Sequence, residues 1–117
     1  MKVDSKKVLW SEFEEADSWL KKALGVMFRK SVGKPIVFSF ASEARARNAI
    51  HSLFCPEFDA VFLDGGKRVV EVRRVKPFSF VTPKKACKYL IEAPLGSAEK
   101  LSIKPGSKLM WNSKRIF

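Results

Sequence analysis

Three side chains of this sequence have the chemistry for acid–base work: His51, Asp59 and Glu92. A carboxylate held against an imidazole moves protons near neutral pH when burial brings the two pKa values together. An enzymatic reading therefore pairs His51 with Asp59 or Glu92 and describes a small hydrolase or transferase. A plainer reading makes both carboxylates structural. Asp59 lies inside an apolar run, where it would answer Arg29 or a backbone N–H, and Glu92 precedes a turn that it would help to close. No serine stands in a Gly-x-Ser-x-Gly setting, and no Gly-x-x-x-x-Gly-Lys or Gly-x-Gly-x-x-Gly loop occurs. The sequence thus lacks a nucleophile elbow and a phosphate loop. One histidine and two cysteines, Cys55 and Cys87, are too few for a zinc site. No metal and no cofactor is implied.

The basic residues carry a stronger signal. Lys and Arg number 23 against 12 Asp and Glu, for a net charge of +11 and a pI near 10.0. Such a balance favours polyanions as partners. The cations are unevenly placed: from Lys67 to Lys88 there are eight, opposed by Glu71 alone. Arg68, Arg73, Arg74, Lys76, Lys84, Lys85 and Lys88, with Arg29 from earlier in the chain, are the candidate anion-binding residues. Phe78, Phe80 and Tyr89 interleave with them and offer ring faces on which bases stack. A solvated basic face over core aromatics explains the same residues, and that plainer reading is favoured. No known nucleic-acid signature occurs. The leading functional reading is a small non-enzymatic binding module with an unknown ligand, an anionic partner being preferred: nucleic acid, another polyanion or a phosphorylated ligand.

The elements that must position these residues follow from periodicity. Ser11 to Leu24 carries Phe13, Ala16, Trp19, Leu20, Ala23 and Leu24 at three- and four-residue spacing. Ser11 and Glu14 form a Ser-x-x-Glu box at its start and Gly25 follows its end, which predicts one principal N-terminal helix. Val8 to Trp10 and Pro35 to Phe40 read as strands, while Ala44 to Phe54 is balanced between helix and strand. The runs Phe58–Asp64 and Lys67–Val75 flank Gly65-Gly66 and predict a hairpin whose turn uses the positive φ open to glycine. The first run is apolar on both faces, as in a central strand, and the second alternates toward its end, as near an edge. Short strands are expected at Phe78–Val81, Cys87–Glu92 and Lys108–Trp111, and a helical turn at 97–101. Pro105 in Lys104–Ser107 occupies the favoured second position of a turn.

With 117 residues, 46% of them hydrophobic, the chain suffices for one cored domain, 8–117, behind a flexible N-terminus, 1–7. No apolar run reaches the roughly 20 residues of a membrane helix, and the first residues lack a secretory signal. The expectation is a cytoplasmic protein, monomeric by default, with two free and buried thiols.

The order of short motifs is distinctive. Gly25-Val-Met-Phe-Arg29 precedes a strand with Val37-Phe38. Ile50-His-Ser-Leu-Phe54, Phe58-Asp-Ala-Val-Phe-Leu-Asp64 and Arg68-Val-Val70 come next. Thr82-Pro-Lys-Lys85, Tyr89-Leu-Ile-Glu92, Gly96 and Ile103-Lys-Pro-Gly106 complete the series. Over residues 8 to 111 this resembles the domain-of-unknown-function 192 family, especially its short archaeal branch. Leu53-Phe54 stands where many bacterial members have Trp-Met, and Ser107 where an acid is usual. The resemblance implies a mostly β fold, β-rich α+β, of compact antiparallel, barrel-like sheets with one principal helix. It also implies an extended Ala44 to Phe54, and it brings no agreed activity.

Overall fold

In Phe58-Asp-Ala-Val-Phe-Leu63 every residue but Asp59 is apolar, so the segment is stable only where both its faces are covered. A computed structural model describes residues 8–16, Met27 and 29–117 and places this segment accordingly. The described strands are β1 (Glu14–Glu15), β2 (Ile36–Ala44), β3 (Ile50–His51), β4 (Phe58–Leu63), β5 (Val69–Val75), β6 (Phe80–Val81) and β7 (Cys87–Ala93). Five form one open sheet in the order β1-β2-β7-β4-β5, and β3 and β6 form a separate two-stranded ribbon. All pairs are antiparallel except β1 with β2. All six residues of β4 are buried.

Strand alternation divides the core in two. Phe58, Ala60 and Phe62 meet Ile36, Phe38, Val75 and Leu90 on one face, while Val61 and Leu63 meet Val37, Val69 and Ile91 on the other. The ribbon closes over the first face through Ile50 and Val81. The second is covered by a helical turn, α1 (Ser97–Lys100), through Ala98, and by Ile103, Leu109 and Ile116. Each large apolar side chain so buried contributes about 1.5–3 kcal/mol. Three layers result, with the sheet in the middle.

The central-strand and edge-strand expectations for the hairpin hold, and so does the turn at 97–101. The turn at Lys104 forms as expected: Ser107 N–H donates to the Lys104 carbonyl at 2.9 Å, with Gly106 at φ 97° after Pro105. Other expectations are corrected. The sheet is open, not barrel-like. The principal N-terminal helix is not borne out: where it should begin, Glu14 N–H donates to the Pro35 carbonyl and Ala16 N–H to the Val37 carbonyl, both at 2.9 Å. The free edge of β2 supplies backbone partners that outcompete the local capping box. Residues 17–24, the rest of that expected helix, lie outside the described residues, as do residues 1–7.

Ala44 to Phe54 is neither helix nor strand throughout. Ala44 ends β2, Ala46–Asn48 is a 3-10 turn, and Ile50–His51 is β3. The buried Asn48 decides this: its Nδ2 donates to the Ser42, Ala44 and Cys87 carbonyls at 3.0, 3.3 and 2.7 Å. Two further strands are shorter than expected. Only Phe80–Val81 of 78–81 is paired, and Lys108 and Trp111 make isolated bridges to Arg68 and Ile116. At the hairpin the positive φ falls on Lys67, at 64°, and not on Gly65 or Gly66. Asp64 sets that turn, its Oδ1 accepting from Gly66 N–H at 2.9 Å and Arg68 N–H at 3.0 Å. No helix among the described residues is long and apolar enough to cross a membrane.

Candidate binding surface

The three acid–base candidates end up apart. Asp59 shares the sheet face of Val61 and Leu63, and its Oδ2 accepts from Ala98 N–H at 3.0 Å, anchoring the first turn of α1. The backbone N–H expected as its partner is therefore present, whereas Arg29 is elsewhere. Glu92 pairs across the sheet with Ala60 and Ile36, which puts it on the opposite face, buried. His51 is in the ribbon. Because Ile50 and Val81 turn toward the core, alternation directs His51 and its cross-strand neighbour Phe80 outward. His51 Nδ1 accepts from Leu53 N–H at 3.1 Å. The sheet separates His51 from Asp59, and the ribbon separates it from Glu92. Neither pairing forms an acid–base couple.

The basic residues do not make one patch. Arg29 lies by β1, clamped to Glu14 through two contacts of 3.1 and 3.2 Å. Arg73 and Arg74 are on β5, the other edge of a five-stranded sheet, about 19 Å away at the usual strand spacing. Several cations are held internally. Arg68 Nη1 donates to the Gly106 carbonyl at 3.1 Å, and Lys88 Nζ donates to the Phe40 carbonyl. Lys67 sits over the Trp111 ring at 4.3 Å, with Tyr89 edge-on to that ring at 5.2 Å. Tyr89 is thus part of the structure under the hairpin and not a stacking surface.

A second group faces solvent around the ribbon. Lys76, Lys84 and Lys85 are exposed, and none of their side chains enters an ion pair or hydrogen bond among the described residues. Arg74 is exposed as well, but its pairing with Asp59 puts it on the opposite face of the sheet. Glu71, the lone acid of that stretch, is 8% exposed; it accepts from Lys84 N–H at 2.8 Å and pairs with Arg73 at 2.5 Å. Arg45, which sequence reasoning missed, joins this end of the ribbon by donating to the Pro83 carbonyl at 3.3 Å.

Of the aromatics expected in the core, Tyr89 packs against it while Phe78 and Phe80 overturn that expectation. Phe80 is 78% exposed, Phe78 64% and Phe54 57%. Phe54 and Phe78 meet edge to face at 5.5 Å, and both have left-handed backbones, φ 58° and 59°. That conformation costs a bulky residue roughly 1–2 kcal/mol, and the Phe78 ring, 64% exposed, recovers little of it by burial.

Ser52 holds both loops in place. Fully buried, it donates its N–H to the Ser79 carbonyl at 2.9 Å, and its own carbonyl accepts from Cys55 and Phe78 N–H at 3.1 and 3.0 Å. Its hydroxyl donates to the Lys76 carbonyl at 2.5 Å and accepts from Ser79 N–H at 2.8 Å. Nothing in the sequence marks this serine out, because its partners lie about 25 residues away.

Beneath the ribbon the two cysteines are free and buried, as expected. Burial, with a smaller push from Glu92, raises the Cys55 thiol to about 11. Burial also raises Cys87 to about 11, against a hydrogen bond from Asn48 that lowers it. Such thiols are unreactive at neutral pH. No cluster of metal-ligating side chains is present among the described residues.

Known proteins share this arrangement of elements. The family described as an uncharacterised ACR, domain of unknown function 192, matches residues 1–111. A UPF0127 protein of Pyrococcus furiosus is 37% identical over 113 residues, covering 96% of this chain and 97% of that one. A UPF0127 protein of Pyrococcus horikoshii is 39% identical over 110 residues, 92% of this chain and 95% of its own. Among solved structures, a protein of unknown function from Novosphingobium aromaticivorans is similar with a TM-score of 0.74 at 24% identity, over 85% of this chain and 74% of that chain. A Sinorhizobium meliloti protein described as a candidate transcription regulator has a TM-score of 0.71 at 16% identity, over 90% of this chain and 79% of its own. The two structures establish a shared fold, and the sequence matches establish descent: this chain belongs to the domain-of-unknown-function 192 family.

Proposed function

We propose that the chain is a non-enzymatic binding module for an anionic partner, either nucleic acid or a phosphorylated ligand. One observation carries the reading. In the stretch from Lys67 to Lys88 the single carboxylate, Glu71, is buried and satisfied, while Lys76, Lys84 and Lys85 extend into solvent on the ribbon's side of the sheet. The local field is therefore positive without internal compensation, the condition under which polyanions are attracted and concentrated. The separation of His51 from Asp59 and Glu92 supports a binding role over an acid–base one.

The test is a titration of the whole chain with a fluorescent single-stranded oligonucleotide and, in parallel, with inorganic polyphosphate. Binding at low salt that weakens as salt rises is expected, because each phosphate contact releases a counterion. Replacing Lys76, Lys84 and Lys85 together by Gln should flatten the salt dependence and weaken binding at least tenfold at low salt. Failure of both probes to bind at low salt would refute the reading.

A further inference from the structure

We infer that the outer edge of β5 is a docking strand: between Val72 and Arg74 it takes an extended acidic segment of a partner protein as a sixth strand of the sheet. This partner is additional to the anionic ligand proposed for the ribbon's side, and the two sites stand or fall separately.

Val37, Ile91, Val61 and Val72 stand side by side across β2, β7, β4 and β5. In antiparallel ladders, directly opposed residues alternate between pairs that exchange hydrogen bonds and pairs that do not. The Val37 carbonyl accepts from Ala16 N–H, so the backbone of Val37 is turned toward β1 and away from Ile91. Ile91 therefore bonds Val61, and Val61 presents no backbone group to Val72. The N–H and C=O of Val72 point out of the sheet, and two residues on so do those of Arg74. Neither residue has a backbone partner on that side among the described residues. Its neighbours along the edge are covered. Before the register shift in the hairpin, Val69 N–H donates to the Ser107 carbonyl and the Val69 carbonyl accepts from Gly106 N–H, both at 2.8 Å. Past the strand's end, the Lys76 carbonyl accepts from the Ser52 hydroxyl. Cover thus stops short of Val72 and Arg74 from both directions.

Charge selects the occupant. Arg73 and Arg74 lie on opposite faces of the open stretch, and the exposed Lys76 follows at its end. The acids beside them are buried and engaged: Glu71, 8% exposed, by Arg73 and Lys84 N–H, and Asp59, 5% exposed, by Ala98 N–H. The apolar row that begins at Val37 ends at the half-buried Val72. An incoming strand would set an apolar residue beside Val72 and, two positions away on the same face, an acid beside Arg74. A second copy of this chain fits badly. Paired antiparallel about Arg73, it would set Arg73 against Arg73, and like charges directly opposed destabilise a ladder. Arginines here defend the edge against its own kind while attracting an acidic strand. A nucleic acid would meet the same cations but leave the outward N–H and C=O groups unpaired.

The experiment titrates the whole chain into a fluorescein-labelled peptide, Thr-Asp-Thr-Val-Thr-Asp-Thr, whose valine has an aspartate two residues away on either side. Anisotropy is read at low salt, with two control peptides. One carries lysines for the aspartates. The other is N-methylated at the valine, which keeps every charge but removes the N–H that would face the Val72 carbonyl. The parent peptide should bind and protect the Val72 and Arg74 amides from hydrogen exchange. The lysine peptide should not bind, and N-methylation should weaken binding about tenfold. Val72→Pro removes an outward N–H and leaves the ladder to β4 intact, so thermal unfolding should change little while peptide affinity falls about tenfold. Arg74→Gln should cost about 2- to 5-fold. An N-methylated peptide that binds as tightly as the parent would reduce the contact to charge alone and overturn the docking strand, however the proline variant folds. Failure of the parent peptide to bind at low salt would overturn it as well. So would protection of the same two amides by oligo-dT, or a dimer in sedimentation that Val72→Pro converts to monomer, since either would give the edge to another occupant.

Discussion

The hairpin tip and the β3–β6 ribbon solve the same backbone problem with opposite results. Both place non-glycine residues in the left-handed region: Lys67 at φ 64° in the tip, Phe54 and Phe78 at 58° and 59° beside the ribbon. At the tip the strain is repaid by the side chains themselves. Lys67 lies over Trp111, Asp64 takes two N–H groups, and Arg68 and Lys108 reach the Gly106 and Gly66 carbonyls. By the ribbon the backbone is held just as firmly through Ser52, but the Phe78 ring is mostly exposed. Strain with local recompense is part of folding. At Phe78 the fold carries the strain without that recompense.

Removing the ribbon's hub should give the largest effect. Ser52→Ala leaves the Ser79 N–H and the Lys76 carbonyl without their hydroxyl partner in a buried site, which should cost about 2–4 kcal/mol in urea unfolding with an unchanged m-value. A loss below about 1 kcal/mol would mean that the ribbon loops are held by something other than this residue.

Alkaline pH should weaken the ribbon's side of the core next. The thiols of Cys55 and Cys87 titrate near 11 when folded and near 8.5 when unfolded. As pH rises past about 9 the unfolded chain releases protons first, so the folded state binds more and stability falls through pH 11. The loss is on the order of 2 kcal/mol per thiol. Stability curves of Cys55→Ala and Cys87→Ala against pH should each be flatter above pH 9 than that of the parent. Parallel curves would break the prediction.

The smallest effects sharpen the comparison most. Asparagine tolerates the left-handed region better than other side chains. Phe78→Asn gives up little burial and should stabilise by about 0.5 kcal/mol. Lys67→Asn gains the same relief but loses its place over Trp111, and should destabilise by a similar amount. Equal signs in thermal unfolding would erase the distinction between the two regions.

Much of the sheet was legible in the chain. The unbroken apolar run of β4, the Asp64-Gly-Gly turn and the alternation late in β5 specify a hairpin with one strand inside and one at an edge, because side-chain period and turn chemistry are local. Within that hairpin, the residue taking the positive φ was misread: Asp64 caps the turn, so the left-handed position moved from the glycines to Lys67. The capping box at Ser11 was also misleading, since local signals are silent about an open strand edge some 20 residues away. Asn48 and Ser52 were invisible for the same reason. Each bonds carbonyls distant in sequence, and a single polar residue in an apolar stretch has no periodicity to reveal it.

The candidate surface divides along similar lines. The density of cations between Lys67 and Lys88 belongs to the sequence alone, as do the lone opposing acid and the absence of nucleophile, phosphate-loop and zinc motifs. Which cations stay outward, and which close the hairpin tip, was settled by carbonyls and rings that folding brought to them. Folding also decided that Phe78 and Phe80 lie on the surface. Hydrophobicity assigns a phenylalanine to a core, but a two-stranded ribbon has only one buried face, and Ile50 and Val81 had already filled it.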